Sequence, residues 1–275
     1  MPAGTSSAPR RPSFVRRFTS PAIAALSVLL LVGAATTTRA DDQRDRPWPE
    51  EWPIVLPPVR GPLPPAPPPA PRTEPATERG ARVLATIERI RRRMRRTRYQ
   101  HWRSVNERRG RYYWDCSLMV EWVLRRAAPR TVHHLRNLRR PLAEHFVRTI
   151  ERAPTDGWRR GWRRIERIQD VQPGDVFAWR RPEGFPSRNT GHVGFVVGAP
   201  RSVDGIPHGW AVRVADATGS GHQNDTRPYP GDGGFGLGTL VFLTDAHGHG
   251  THYGWAGTRS RGYVVTPILF GRVGP

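Results

Sequence analysis

The sequence holds one cysteine, Cys116, and ten histidines. Cys116 stands in Tyr112-Tyr113-Trp114-Asp115-Cys116-Ser117-Leu118-Met119, a stretch that predicts a helix starting at Asp115 or Cys116. Unpaired amides and the dipole at a helix start favour the thiolate, the nucleophilic form of the side chain. A lone cysteine is often just a small core residue. An exported chain, which this sequence indicates, tends to avoid free thiols open to oxidation. A thiol nucleophile also needs an imidazole to take its proton. His192 has the best setting for that: Val171-Gln172-Pro173-Gly174-Asp175-Val176-Phe177-Ala178-Trp179, a loop, then Gly191-His192-Val193-Gly194-Phe195-Val196-Val197. A turn-strand-loop-strand unit of this kind holds the ring rigidly at a strand start, as a general base must be held.

Asp-Cys-Ser at a helix start, Pro-Gly-Asp-Val before a strand and Gly-His-Val-Gly at the start of the next together resemble the NlpC-type papain-like cysteine peptidases, bacterial enzymes that cut cell-wall peptides. The resemblance spans roughly residues 99 to 227. It implies an α+β fold of N-terminal helices packed on a small antiparallel β-sheet, with neither cofactor nor metal. By position Cys116 would attack an amide and His192 would accept its proton. A polar residue on the following strand would orient the histidine. Trp210-Ala211-Val212-Arg213-Val214-Ala215-Asp216 places Asp216 on the face of Val212 and Val214, which selects Asp216 for that role. His222 and Asp225 are the alternatives.

Two positions depart from the family pattern. Leu118 stands where glycine usually follows Asp-Cys-Ser, which predicts a differently packed first turn and a narrower groove. The family's upstream tyrosine, which helps bind the oxyanion, is matched by Tyr99, with Tyr112 and Tyr113 as rivals. The backbone amide of Cys116 is a further donor, fixed by helix-start geometry.

Other clusters yield less. Asp245, His247, His249 and His252 offer zinc-type ligands, but their spacing on a Gly-rich turn matches no metal pattern, and a polar turn between strands is expected. His133, His134 and His145 have no evident partner and read as surface residues. Trp158 and Trp162, four apart, predict either one helical stripe on the core or a stacking platform for sugars.

The elements that must position these residues change character along the chain. From Thr77 to about Val105 the pattern is helical, with Val83, Leu84, Ile87, Ile90 and Met94 on one stripe and arginines crowding the rest of the surface between residues 79 and 98. That face suits an anionic membrane or wall polymer, or is a solvated surface of an arginine-biased chain. Helices follow over 115–127 and from Pro141, the latter carrying Leu142, Phe146, Val147 and Ile150. Beyond Asp170 the apolar runs are short and β-rich: 176–179, 192–197, 210–216, 239–244 and 263–270.

Composition bears on location. All 44 basic residues of the 275 are arginine, against 23 acids, for a net charge of +21. Arg10, Arg11, Arg16 and Arg17 precede an apolar run from Ala22 to Ala35, and Thr38-Arg39-Ala40 then supplies small residues at a cleavage site. That run is shorter than the roughly 20 residues of a membrane span. Residues 1–40 therefore read as a secretory signal, placing the protein in the periplasm, the cell envelope or outside the cell. The mature chain keeps 39 arginines against 23 acids, or +16. Export argues against nucleic acid as a partner. Residues 41–75 form a proline-rich linker, with 13 prolines among the 29 residues from Pro47 to Pro75. A single domain then covers 76–275.

These features together predict an exported cysteine amidohydrolase or peptidase acting on peptidoglycan peptides. Two other classes fit the same residues: an envelope-binding module working through its arginine helix, and an acyltransferase using the same thiol–imidazole pair.

Overall fold

The computed structural model describes residues 73–275, apart from 136, 137, 139, 188 and 228–230. The expected signal, 1–40, and all but the last three residues of the linker lie outside the described residues.

Thr77 opens α1 (Glu78–Arg93) by accepting the Gly80 amide on its side chain. The helix buries Val83, Ile87 and Ile90 and leaves Arg82, Arg91, Arg92 and Arg93 exposed. It ends twelve residues earlier than the sequence pattern predicts. Met94 turns extended and donates its amide to the Ile90 carbonyl. The chain then enters β1 (Arg96–Tyr99), which runs parallel to β3 (Arg111–Trp114), while β2 (Ser104–Asn106) pairs antiparallel on the other side of β3. The arginine-rich segment expected as one helix over 79–98 is thus a helix followed by a strand. Thr97 secures the change: its hydroxyl donates to the Tyr112 carbonyl and accepts the Phe235 amide, contacts unavailable to a continuing helix.

Next come α2 (Cys116–Ala127) and α3 (Ala143–Glu151), with a 3-10 segment at 129–135 between them. Trp158 and Trp162 share no helix. Trp162 begins β4 (Trp162–Ile165), buried with its indole donating to the Thr131 carbonyl, whereas Trp158 lies in the preceding loop, partly exposed.

The remaining strands are β5 (Val176–Arg180), β6 (Gly191–Val196), β7 (Arg201–Ser202), β8 (Gly209–Thr218), β9 (Gly234–Thr244), β10 (Gly250–Gly254) and β11 (Val264–Val273). The expectation of N-terminal helices packed on a small antiparallel β-sheet is overturned here. Strands β10-β9-β8-β6-β5-β11 are antiparallel neighbours, and β11 pairs back with β10 through Gly250↔Ile268 and His252↔Val265. Six strands close into a barrel, which leaves those strands no free edge. β4 extends β11 beyond the ring and β7 flanks β8. Strand alternation sorts the residues between two cores. Phe177, Trp179, Val212, Val214, Leu240, Phe242, Tyr253 and Phe270 belong to the cluster that fills the barrel. Val176, Ala178, Val193, Phe195 and Ala215 point the other way, into a core shared with α1, α2 and α3. No helix among the described residues is long and apolar enough to cross a membrane.

Candidate active site

Asp115 is the N-cap of α2: its Oδ1 accepts the Leu118 amide at 2.9 Å. The cap places Cys116 at the first helical position, where backbone amides have no intrahelical partner. Cys116 is buried, with its sulfur 3.7 Å from the Ser117 hydroxyl. Leu118, the departure from the family pattern, packs into the helical core.

His192, second residue of β6, pairs across the sheet with Trp179 of β5 and therefore faces the barrel interior. Its ring packs against Trp179, Trp255 and Phe177 at centroid distances of 5.0, 5.2 and 5.9 Å. Nε2 of His192 donates to Oδ2 of Asp216 at 2.6 Å, and Cys116 lies close enough to act electrostatically on the imidazole. With Nε2 committed to Asp216, Nδ1 is the ring nitrogen left to serve as a base. Asp216 continues the interior face of Val212 and Val214 on β8, as the alternation predicts, and is fully buried.

Burial alone would suppress the charged imidazole. The hydrogen bond to Asp216, with the electrostatic pull of Cys116 and Asp216, outweighs it and raises His192 from its ordinary 6.5 to about 9. Burial likewise opposes the Asp216 carboxylate. His222, Arg227 and the hydrogen bond from His192 overcome that opposition and hold Asp216 well below the usual carboxylate range.

His222 does not replace Asp216 as the partner of His192. Its Nε2 reaches the same Oδ2 at 2.8 Å from the other side, and its Nδ1 faces the Trp255 carbonyl at 3.2 Å. Asp225 does not reach His192 either: its carboxylate accepts the His222 amide at 2.8 Å and pairs with Arg227. Tyr99, at the end of β1, comes close enough to Cys116 to feel its charge. Burial, reinforced by Cys116 and Asp115, pushes the Tyr99 hydroxyl well above its ordinary value, so it stays protonated and able to donate. Its rivals lie elsewhere: Tyr112 packs against Trp114 and Trp122, and Tyr113 lies under Arg111.

No protein-family model matches this sequence, and no solved structure matches the chain. Among curated proteins it is similar to an uncharacterized protein of Acanthamoeba polyphaga mimivirus, 28% identical over 205 residues, which cover 64% of this chain and 88% of the relative.

His192, Asp216 and His222 are also the group of potential metal ligands that converges among the described residues. The geometry does not suit an ion. Ligands bound to zinc at about 2.0–2.1 Å in a tetrahedron stand about 3.3 Å apart, whereas both imidazoles here hydrogen-bond one carboxylate oxygen at 2.6 and 2.8 Å. The second oxygen is taken by the cationic Arg227. The Asp245–His252 stretch forms the turn and start of the β9–β10 hairpin. His249 bonds Asp245 at 2.9 Å, and His252 is buried beside Thr251. His134 and His145, expected as surface residues, are instead half-buried and bonded, His134 to the Thr149 hydroxyl and His145 to the Leu142 amide.

Sequence reasoning missed Arg227 and Trp255. Nothing in the residue pattern distinguishes Arg227 from 43 other arginines. Its one signal is the Asp225-Thr226-Arg227 spacing, which places a carboxylate within reach of the guanidinium.

Proposed function

We propose that the chain is an exported thiol amidohydrolase that cleaves peptide or amide bonds of cell-wall peptides. The observation that carries this reading is His192 bonded to Asp216 through Nε2 and standing within electrostatic reach of Cys116. The short motifs around Cys116 and His192, which resemble the NlpC-type peptidases, direct it to peptidoglycan, and the basic, leader-bearing sequence fits an anionic envelope.

In this mechanism the Cys116 sulfur adds to the carbonyl carbon while its proton rests on His192. The oxygen becomes an oxyanion, met by the Cys116 amide and the Tyr99 hydroxyl. The carbon–nitrogen bond then breaks as His192 returns the proton to the departing amine, leaving a thioester. Water attacks the thioester, gives a proton to His192 and releases the acid, and the sulfur recovers the proton. Asp216 keeps the imidazole in one tautomer and orientation throughout. If an amine or hydroxyl replaces water in the last step, the product is an acyl transfer.

Incubating the purified chain with peptidoglycan and counting new amine ends tests this. Release that disappears in Cys116→Ala supports it. No release, together with a Cys116 that resists alkylation at neutral pH, rejects it.

A second reading concerns attachment. Exposed Arg93, Arg95 and Arg96 have no carboxylate partner among the described residues, unlike Arg82, Arg91 and Arg92. This unneutralised junction between α1 and β1 favours electrostatic docking to an anionic wall polymer or membrane. Binding to anionic vesicles or wall material that survives Cys116→Ala and weakens steeply with salt supports it. Binding insensitive to salt rejects it.

A further inference from the structure

Asp216 makes more contacts than a residue that only orients one histidine requires. Oδ2 accepts from His192 and His222, while Oδ1 accepts from Arg227 Nη2, which also donates to the Asp216 carbonyl at 2.9 Å. Arg227 is pinned in turn: Nε donates to the Gly234 carbonyl at 2.7 Å, and Nη1 pairs with Asp225. His222, Asp225 and Arg227 come from one short segment between β8 and β9.

That segment lies on β9. The Thr239 amide donates to the Gln223 carbonyl at 2.8 Å, and the Thr226 amide to the Leu237 carbonyl at 2.9 Å. Two glycines on the same face of β9 make the approach possible. A Cβ on Gly236 would stand 2.5 Å from Arg227 Cγ and 2.8 Å from its Nε. One on Gly238 would stand 2.5 Å from His222 Cβ and 2.9 Å from an Asp225 oxygen. Glycine otherwise weakens a strand interior, and here it marks a close approach of another segment.

We propose that the His222–Arg227 segment, seated on Gly236 and Gly238, is a positioning clamp that fixes the Asp216 carboxylate with Oδ2 aimed at His192. His222 and Arg227 are positioning residues that act through Asp216. The inference rests on the reading of His192 as the base of Cys116. The charged or titratable groups facing this pair are Cys116 and Tyr99 on the sulfur side, and His222, Arg227 and Asp225 on the carboxylate side. Without the clamp a buried carboxylate can rotate away or take a proton. His192 Nε2 then loses its acceptor.

The test is the rate of Cys116 alkylation by iodoacetamide in the full chain from about pH 5 to about pH 10, with the His192 ring followed by NMR. Arg227→Met and His222→Leu are expected to lower the rate at about pH 6.5 by about tenfold, to shift the His192 titration downward and to erase its far-downfield Nε2 proton signal. Arg227→Lys and His222→Gln, which keep a donor, should recover part of each. If the removal variants do not fold, Gly238→Ala, which displaces His222, should weaken the same signals. Wild-type profiles in folded removal variants or in Gly238→Ala, while His192→Ala slows alkylation, overturn the clamp and leave the base assignment standing. A wild-type profile in His192→Ala overturns both.

Discussion

Nε2 of His192 lies 2.6 Å from Oδ2 of Asp216, and the same imidazole feels the charge of Cys116. The three residues come from the start of α2, the start of β6 and the end of β8, so helix cap and barrel wall must both form before the arrangement exists. His192→Ala should reduce Cys116 alkylation at neutral pH by at least about tenfold, since a thiol without a proton acceptor reverts to a weak nucleophile. Equal rates in wild type and variant, read by mass spectrometry of the labelled chain, would remove the central support for thiol catalysis.

The raised His192 value makes stability depend on pH with a definite sign. Unfolded, the imidazole titrates near 6.5; folded, near 9. The folded state therefore holds the proton more tightly, and the resulting stabilisation is complete below about pH 6.5 and lost as pH rises through about 9. Asp216 acts oppositely. Its folded value is depressed, so its contribution is present above the ordinary carboxylate range and lost as acid protonates it. Urea midpoints should fall between about pH 6.5 and about pH 9.5, and His192→Ala should flatten that decline. An unchanged slope in the variant would show that another group controls alkaline stability.

Asp216→Ala leaves Arg227 and two imidazoles facing one another in a buried space. Breaking a buried ion pair from one side typically costs about 3–5 kcal/mol. The loss should exceed that of Asp216→Asn, which keeps the shape and one acceptor oxygen. Both variants should lose hydrolytic activity, because neither offers His192 a carboxylate. Denaturant melts of the two, compared with Asp225→Ala, check the ranking. A cost no larger than that of Asp225→Ala contradicts it.

Tyr99 can be separated from its structural role by a single oxygen. Tyr99→Phe keeps the ring beside His101, with which it makes an edge contact at 5.5 Å, and removes the donor near Cys116. Loss of one oxyanion donor typically lowers turnover by about 10²–10³. The expected signature is a reduced kcat on peptidoglycan fragments with alkylation of Cys116 nearly unchanged, since alkylation forms no oxyanion. An equal fall in both rates would place Tyr99 in thiol activation instead.

The local pattern of the sequence carried much of this site. Asp115 as a cap, the strand start at His192 and the alternation that puts Asp216 beside Val214 are short-range signals, and the structure brings Cys116, His192 and Asp216 together. Relations made through space were not legible. Barrel closure depends on β10 meeting β11, and β10 is a five-residue run containing two glycines with little β signal of its own. α1 stops at Arg93 because Arg96–Tyr99 finds a partner in β3, which no helical periodicity can reveal. Arg227 was hidden by composition: where every basic residue is arginine, one more carries no information until its carboxylates are in view.

The closed barrel makes its own prediction. Phe242 on β9 meets Phe177 on β5 and Phe270 on β11, each at 5.8 Å, and Trp179 at 6.1 Å, so one ring ties three walls of the barrel together. An open sheet flanked by helices would leave that face partly covered and tolerant of truncation. In a sealed interior, Phe242→Ala creates a cavity among rings that cannot collapse without moving several strands. The expected cost is about 3–5 kcal/mol, against roughly 1 kcal/mol for truncating the partly exposed Val265 on the outer face of β11. Chemical denaturation of the two variants decides the matter, and similar small losses would mean that the strands do not enclose a packed core.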